Sequence, residues 1–291
     1  MRRNAMAYAL LALSMMSWGM ANPLSDIAME SLSVGQMLLI EVGVGFAIVS
    51  AAAVLRRRSL TFSWKWAVLL GLLEPGLTYI FGNIGYATGT VTVGLIIMSS
   101  ETLILALLAR LLLKEMIASV EAIAIAVGFM GALLVGWTGL ALSGSAVGSI
   151  AFLLAAAAAA GYAIAIRIYS TRKPQFDSFA LTWGQMLVSL AIAALIFVAS
   201  GADLAVEPSA AWAAAGAGVF GVAIPFLLFS KAASVVPARH AAIALNIIPV
   251  VGISVGALLG RGVPTALQYA GGALVIASLM ALALREPSTA G

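Results

Sequence analysis

Cysteine is absent from the 291 residues, and with it any disulfide framework, thiolate metal site or cysteine nucleophile. Histidine occurs once, at His240, so no site needing several imidazoles can hold zinc, iron or haem. Charge is scarce as well: 15 basic and 11 acidic residues make up 9% of the chain, against about 25% in soluble proteins. With 63% hydrophobic residues, that scarcity excludes a water-soluble globular domain. The formal net charge of +4 does not indicate nucleic acid, because the basic residues lie in short connections and build no phosphate-tracking groove. No cofactor and no metal are implied.

What the chain does have is apolar runs. A bilayer core takes about 20 residues per helix, so ten spans occupy about 210 residues and leave about seven for each connection or tail. Hydropathy places the spans at 5–25, 33–55, 64–84, 91–113, 119–140, 147–168, 178–200, 209–231, 238–260 and 265–284. Polar or helix-breaking clusters separate them, such as Arg56-Arg57-Arg58, Lys114-Glu115 and Arg172-Lys173-Pro174. Met1-Arg2-Arg3 and the run behind it read as an uncleaved first helix, since nine more spans follow.

Basic residues set the orientation. With the N-terminus inside, 14 of the 15 Lys and Arg fall on the cytoplasmic side, and only Arg261 falls outside. Asp26, Glu30, Asp203 and Glu207 occupy the outer connections. The expected protein is an all-α polytopic membrane protein of the cell (inner) membrane with both termini cytoplasmic. Five spans, a short outer crossover and five more give two repeats, 1–142 and 143–291. An odd number of spans per repeat inverts the second, a common plan of secondary transporters. Trp18 pairs with Tyr162, Pro75 with Pro225 and Tyr79 with Phe229 in that alignment.

Two soluble-enzyme patterns are coincidental in a chain with 29 glycines. Gly216-Ala217-Gly218-Val219-Phe220-Gly221 fits a dinucleotide fingerprint, and Gly252-Ile253-Ser254-Val255-Gly256 a nucleophile elbow. Both lie inside apolar helices and not at strand–helix turns. Gly252, Gly256 and Gly260, four apart, read instead as a close-packing face.

Acids inside spans carry more information. Glu41, Glu74 and Glu101 lie near the expected midplane, where an ionisable group costs about 2.5–3.5 kcal/mol or more. Such a residue faces a cavity or a partner, and no midplane Lys or Arg is available to pair. The plain alternative is a neutral glutamic acid bonded between helices. Trp64, Trp66, Trp137 and Trp212 suit an interfacial belt, whereas Trp18, Tyr79, Tyr162 and Trp183 lie deeper and either pack or line a cavity. Asn83, Ser99, Ser100, Gln185, Asn246 and Ser254 are the remaining polar candidates, the last two on one helical stripe. Pro23, Pro75, Pro225 and Pro249 each remove a backbone hydrogen bond inside a span, which suits hinges or gates around a cavity.

Several stretches resemble the drug/metabolite transporter superfamily, specifically its EamA-type members. Trp18-Gly19 followed by Pro23 is similar to the family's start. Leu111-Leu112-Leu113-Lys114-Glu115 is similar to the run closing helix four, and Lys231 through Ala242 with Pro249 to helix nine. Gln268 and Gly271 match the start of the last helix, while Leu103 and Arg261 depart from the usual proline and glutamate. The resemblance implies ten helices as two inverted five-helix repeats. Among EamA-type proteins the chain looks most like YddG-type exporters, which implies outward movement of small neutral and aromatic amino acids; the expected protein works by alternating access through a central cavity between the repeats, as a monomer in the lipid bilayer. Trp18, Glu41, Glu74, Tyr79, Asn83, Glu101, Tyr162, Trp183 and Asn246 are the expected substrate-binding residues. Proton-coupled export of cationic drugs or other metabolites is the alternative. An enzyme is not expected, because no acid lies at helical spacing from His240 in its own span.

Overall fold

The computed structural model describes residues 2–89, 91–137 and 145–283, and these contain helices and no strand. The expected crossover and the 142/143 repeat boundary lie outside the described residues. In order the helices are α1 (Arg2–Met29), α2 (Val34–Leu55), α3 (Trp64–Thr88) and α4, which comes in two pieces, α4a (Val91–Met98) and α4b (Glu101–Leu112). There follow α5 (Ser119–Gly136), α6 (Ala146–Arg172), α7 (Ser178–Ser200) and α8 (Pro208–Ala233). The last are α9, again in two pieces, α9a (Ala238–Leu245) and α9b (Ile247–Leu258), and α10 (Ala266–Ala283).

Seven of these, α2, α3 and α5 to α9, are long and apolar enough to cross a membrane. The expected ten differ for local reasons. Helix α1 is long but carries Asn4, Asn22 and Asp26, α4 is interrupted after Met98, and the apolar stretch of α10 is described only over Ala266–Ala281. The boundaries follow from capping chemistry. Ser33 and Gln36 form a reciprocal capping box on α2, Ser145 accepts from Gly148 N–H at 2.9 Å, and Asp177 accepts from the Phe179 and Ala180 N–H groups. Pro208 opens α8, where a missing N–H costs nothing, and Gly201 (φ 65°) closes α7 in the left-handed conformation.

Contacts sort the connections to two ends. At one end, Tyr8 of α1 meets His240, Glu115 after α4b meets Arg239, and Arg167 of α6 donates to Ala233 O. Arg58 after α2 meets Asp177 before α7 at the same end. At the other end Arg261 pairs with Asp26 at 2.5 Å and Glu30 at 2.6 Å, and Gln36 donates to the carbonyls of Asp203 and Ala205. Asp26, followed by Glu30, holds the pKa of the Arg261 guanidinium above its ordinary value. Successive helices therefore run antiparallel.

Small residues set the closest approaches. A Cβ at Gly19 would stand 2.7 Å from Ile248 O and Val251 Cβ, so α1 lies directly on α9b. The glycine face expected on α9 is narrower. Gly252 and Gly256 meet α1 at ordinary distances, while Gly260 (φ 76°) has open space around it and ends the helix. Helix α6 is central. Its Ala155, Ala156 and Ala160 are fully buried, and their short side chains admit α3 and α4b.

Candidate functional site

The interruptions in α3, α4, α8 and α9 surround one cavity of about 160 Å³. In α3 a wide π-type turn at Leu72–Leu77 puts Glu74 in an extended backbone conformation (φ −151°, ψ 130°) within an otherwise helical span. The carbonyls this frees are satisfied by neighbours. Ser189 donates to Gly71 O at 2.8 Å, Thr78 to Leu73 O at 3.0 Å and Gln185 to Glu74 O at 3.2 Å. A second wide turn, Gly218–Ala223, precedes Pro225 in α8. In α9 the break falls at Asn246, three residues before Pro249. The α4 break, at Ser99-Ser100, has no proline, and Pro23 lies inside a continuous α1. Of the four expected hinge prolines only Pro249 lines the cavity.

Eight of the nine expected binding residues line it: Trp18, Glu41, Glu74, Tyr79, Asn83, Glu101, Tyr162 and Asn246. Glu41, 1% exposed, accepts a 2.8 Å hydrogen bond from Asn83 Nδ2. Tyr79 donates to Gly221 O at 2.5 Å across the two halves of the chain. Thr102 donates to Asn246 Oδ1 at 3.1 Å, and Asn246 Nδ2 donates to Ile243 O. The carboxyls of Glu74 and Glu101 make no hydrogen bond or ion pair with another described residue. No Lys, Arg or His is among the described lining residues. They also include no cluster of three His, Cys, Asp or Glu fit to hold a metal.

Rings fix the opposite wall. Phe226 and Phe229 pack edge-on against Trp18, with centroids 5.4 and 5.5 Å away. Tyr162 meets the same two phenylalanines at 5.5 and 5.8 Å. Edge-on and tilted ring pairs of this kind contribute about 0.5–1.5 kcal/mol each beyond the area they bury. The buried indole N–H of Trp18 has no acceptor in hydrogen-bonding geometry.

Trp183 lies elsewhere. Its N–H donates to Ser50 at 2.9 Å, and its ring packs on Phe46 and Phe62 toward the end that carries Arg58. Ser254 is exposed and bonds to Val250 O, so the stripe expected with Asn246 does not form, because the α9 break resets the helical register. Gln185 is fully buried and supports the α3 turn. Sequence reasoning missed Asn22, Ser25, Tyr86, Thr102 and Phe152. For three of them a signal exists: Asn22 and Ser25 lie four and seven residues beyond Trp18, and Tyr86 seven beyond Tyr79, each on one helical face.

The sequence profile described as the EamA-like transporter family matches residues 5–137 and again residues 146–284. A solved crystal structure of a protein 17% identical in sequence superposes with a TM-score of 0.80, covering 96% of each chain. That likeness concerns the fold alone. None of the curated proteins matches.

Proposed function

Because the chain belongs to the EamA-like transporter family, and is therefore a multi-pass membrane transporter of the drug/metabolite type, we propose that it is a secondary transporter exporting small neutral and aromatic amino acids by alternating access through the central cavity. The observation that carries this reading is the pairing of two carboxyls unbonded to other described side chains, Glu74 and Glu101, with a wall of packed rings in a cavity whose described lining includes no Lys, Arg or His. An ammonium finds its acceptors there, a side chain finds the rings of Trp18, Tyr79 and Tyr162, and a carboxylate finds the amide of Asn22.

The chain plan in this reading is ten spans in two inverted five-helix repeats with both termini on the cytoplasmic side of the inner membrane. Two observations support it. The family profile matches twice, and the interruptions recur in order, with wide turns in α3 and α8 and breaks in α4 and α9. Breaks at corresponding places in two halves mark the binding region of such transporters. A second reading, proton-coupled export of organic cations, is favoured by Glu41, Glu74 and Glu101 sharing one cavity with no cationic side chain among its described lining residues. A panel of labelled amino acids and organic cations on proteoliposomes, with and without an imposed pH gradient, tests both. Saturable counterflow of leucine or phenylalanine without a gradient supports the first reading. Uptake confined to cations and driven by the gradient replaces it with the second.

A further inference from the structure

Six side chains interlock at the end bearing Arg58, away from the cavity. Glu121 accepts from Arg239 Nε at 2.8 Å and contacts His240 Nε2 at 2.7 Å, and Tyr8 OH lies 2.5 Å from His240 Nδ1. Glu115 lies 3.5 Å from Arg239 and 3.9 Å from Arg167. The side chains of Arg167, Arg239, Glu115 and Glu121 are only 11–25% exposed. Every one of these contacts crosses from residues before 138 to residues after 144. Both acids and the tyrosine come from the first half of the chain, both arginines and the histidine from the second.

The seam is tied to the cavity. Lys114 (φ 55°) ends α4b with a left-handed turn that returns Glu115 N–H to Ala109 O. The Glu115 carboxylate then accepts the first N–H groups of α9a, from Ala238 at 3.1 Å and Arg239 at 3.0 Å. Helix α9a runs about 12 Å to the break at Asn246, where Thr102 of α4b meets it. The pair α4b and α9a is thus fastened at both ends, once beside Glu101 in the cavity and once in the charged seam. At the opposite end the described contacts that join the halves run through Arg261, with more exposed partners, and through Gln36, which donates to Asp203 O and Ala205 O.

We infer that this seam is the gate closing the cavity at the end bearing Arg58, and that the fastened pair α4b/α9a transmits solute binding to it. The inference rests on the transporter reading and names how access to that site is controlled. Opening the gate parts two carboxylates from two guanidiniums into water, where each is hydrated, so the halves separate without leaving a buried charge unpaired. Removing the charge of the acids favours that separation.

The absence of native cysteine makes the test direct. Ala163, small and 6% exposed, lines the cavity on α6 outside the seam, and Ala163→Cys reports access to it. A membrane-impermeant maleimide is applied from the side that labels Ser59→Cys. In the parent, labelling of Ala163→Cys from that side is slow. With Glu115→Gln and Glu121→Gln together it rises tenfold or more. Unchanged labelling in the double variant overturns the gate. Should that variant fail to reach the membrane, Glu121→Gln alone is read the same way, a rise of about threefold supporting the gate and no change overturning it. Labelling needs no solute, so it stands apart from the proteoliposome panel, whose failure would undo the transporter reading and leave the labelling result in place.

Discussion

The hydrogen bond between Thr102 and Asn246 offers a quantitative test of how the two halves meet. Both residues are 1% exposed, and the bond joins α4b in the first half to the α9 break in the second at 3.1 Å. Thr102→Val keeps the side-chain shape and removes the donor, leaving Asn246 Oδ1 buried without another donor while its Nδ2 still reaches Ile243 O. A buried acceptor left unsatisfied costs about 1–3 kcal/mol. Side-chain couplings within membrane bundles run lower, averaging about 0.6 with a maximum near 1.7 kcal/mol. The expected loss is therefore about 1 kcal/mol, roughly a fivefold shift in the folded/unfolded ratio. Unfolding in mixed micelles, followed by tryptophan fluorescence, measures it. A double-mutant cycle of Thr102→Val with Asn246→Leu should give a coupling of at least about 0.5 kcal/mol. Additive single effects, or a Thr102→Val variant as stable as the parent, would refute the contact and the fastening of α4b to α9a built on it.

Three further outcomes are expected. Tyr79→Ala and Tyr162→Ala should each weaken transport of large neutral amino acids several-fold more than small ones, since a ring contact adds about 0.5–1.5 kcal/mol beyond its area; equal losses across a size series would assign the rings to packing. Gly19→Val should abolish stable accumulation, because the Cβ alone would stand 2.7 Å from Ile248 O and Val251 Cβ; normal yield and melting behaviour would contradict the close approach of α1 and α9b. A cysteine at Ser59 should label only from the cytoplasmic side and one at the exposed Leu204 only from outside; labelling of both from one side would remove the inverted-repeat plan.

The residues legible in the sequence are those whose chemistry conflicts with their surroundings. Glu41, Glu74 and Glu101 stand out because apolar spans carry almost no other acids, and all three line the cavity. Depth along a helix is readable by counting, but rotation about its axis is not. Trp183 therefore looks like Tyr162 in the sequence and faces Phe46 and Ser50 in the fold. The same ambiguity hid Asn22 and Tyr86, whose face becomes defined only once Trp18 and Tyr79 are known to line a cavity. The break at Ser99-Ser100 leaves no mark, since neither residue breaks a helix by its own propensity. Glu115, Glu121 and Arg239 read as ordinary charges near helix ends, because what makes them a seam is a meeting of residues more than 100 positions apart.

The most direct test of the account is counterflow of a neutral amino acid, with no pH gradient, through a Glu101→Gln variant. Glu101 lines the cavity, makes no bond to a described residue and begins α4b at the break. The substitution keeps the shape and the capacity to hydrogen-bond and removes only the charge that an ammonium would meet. The variant is expected to fold and to lose most of its counterflow. Full counterflow by the variant would contradict the account, and would leave Glu101 as a residue that packs the helix break.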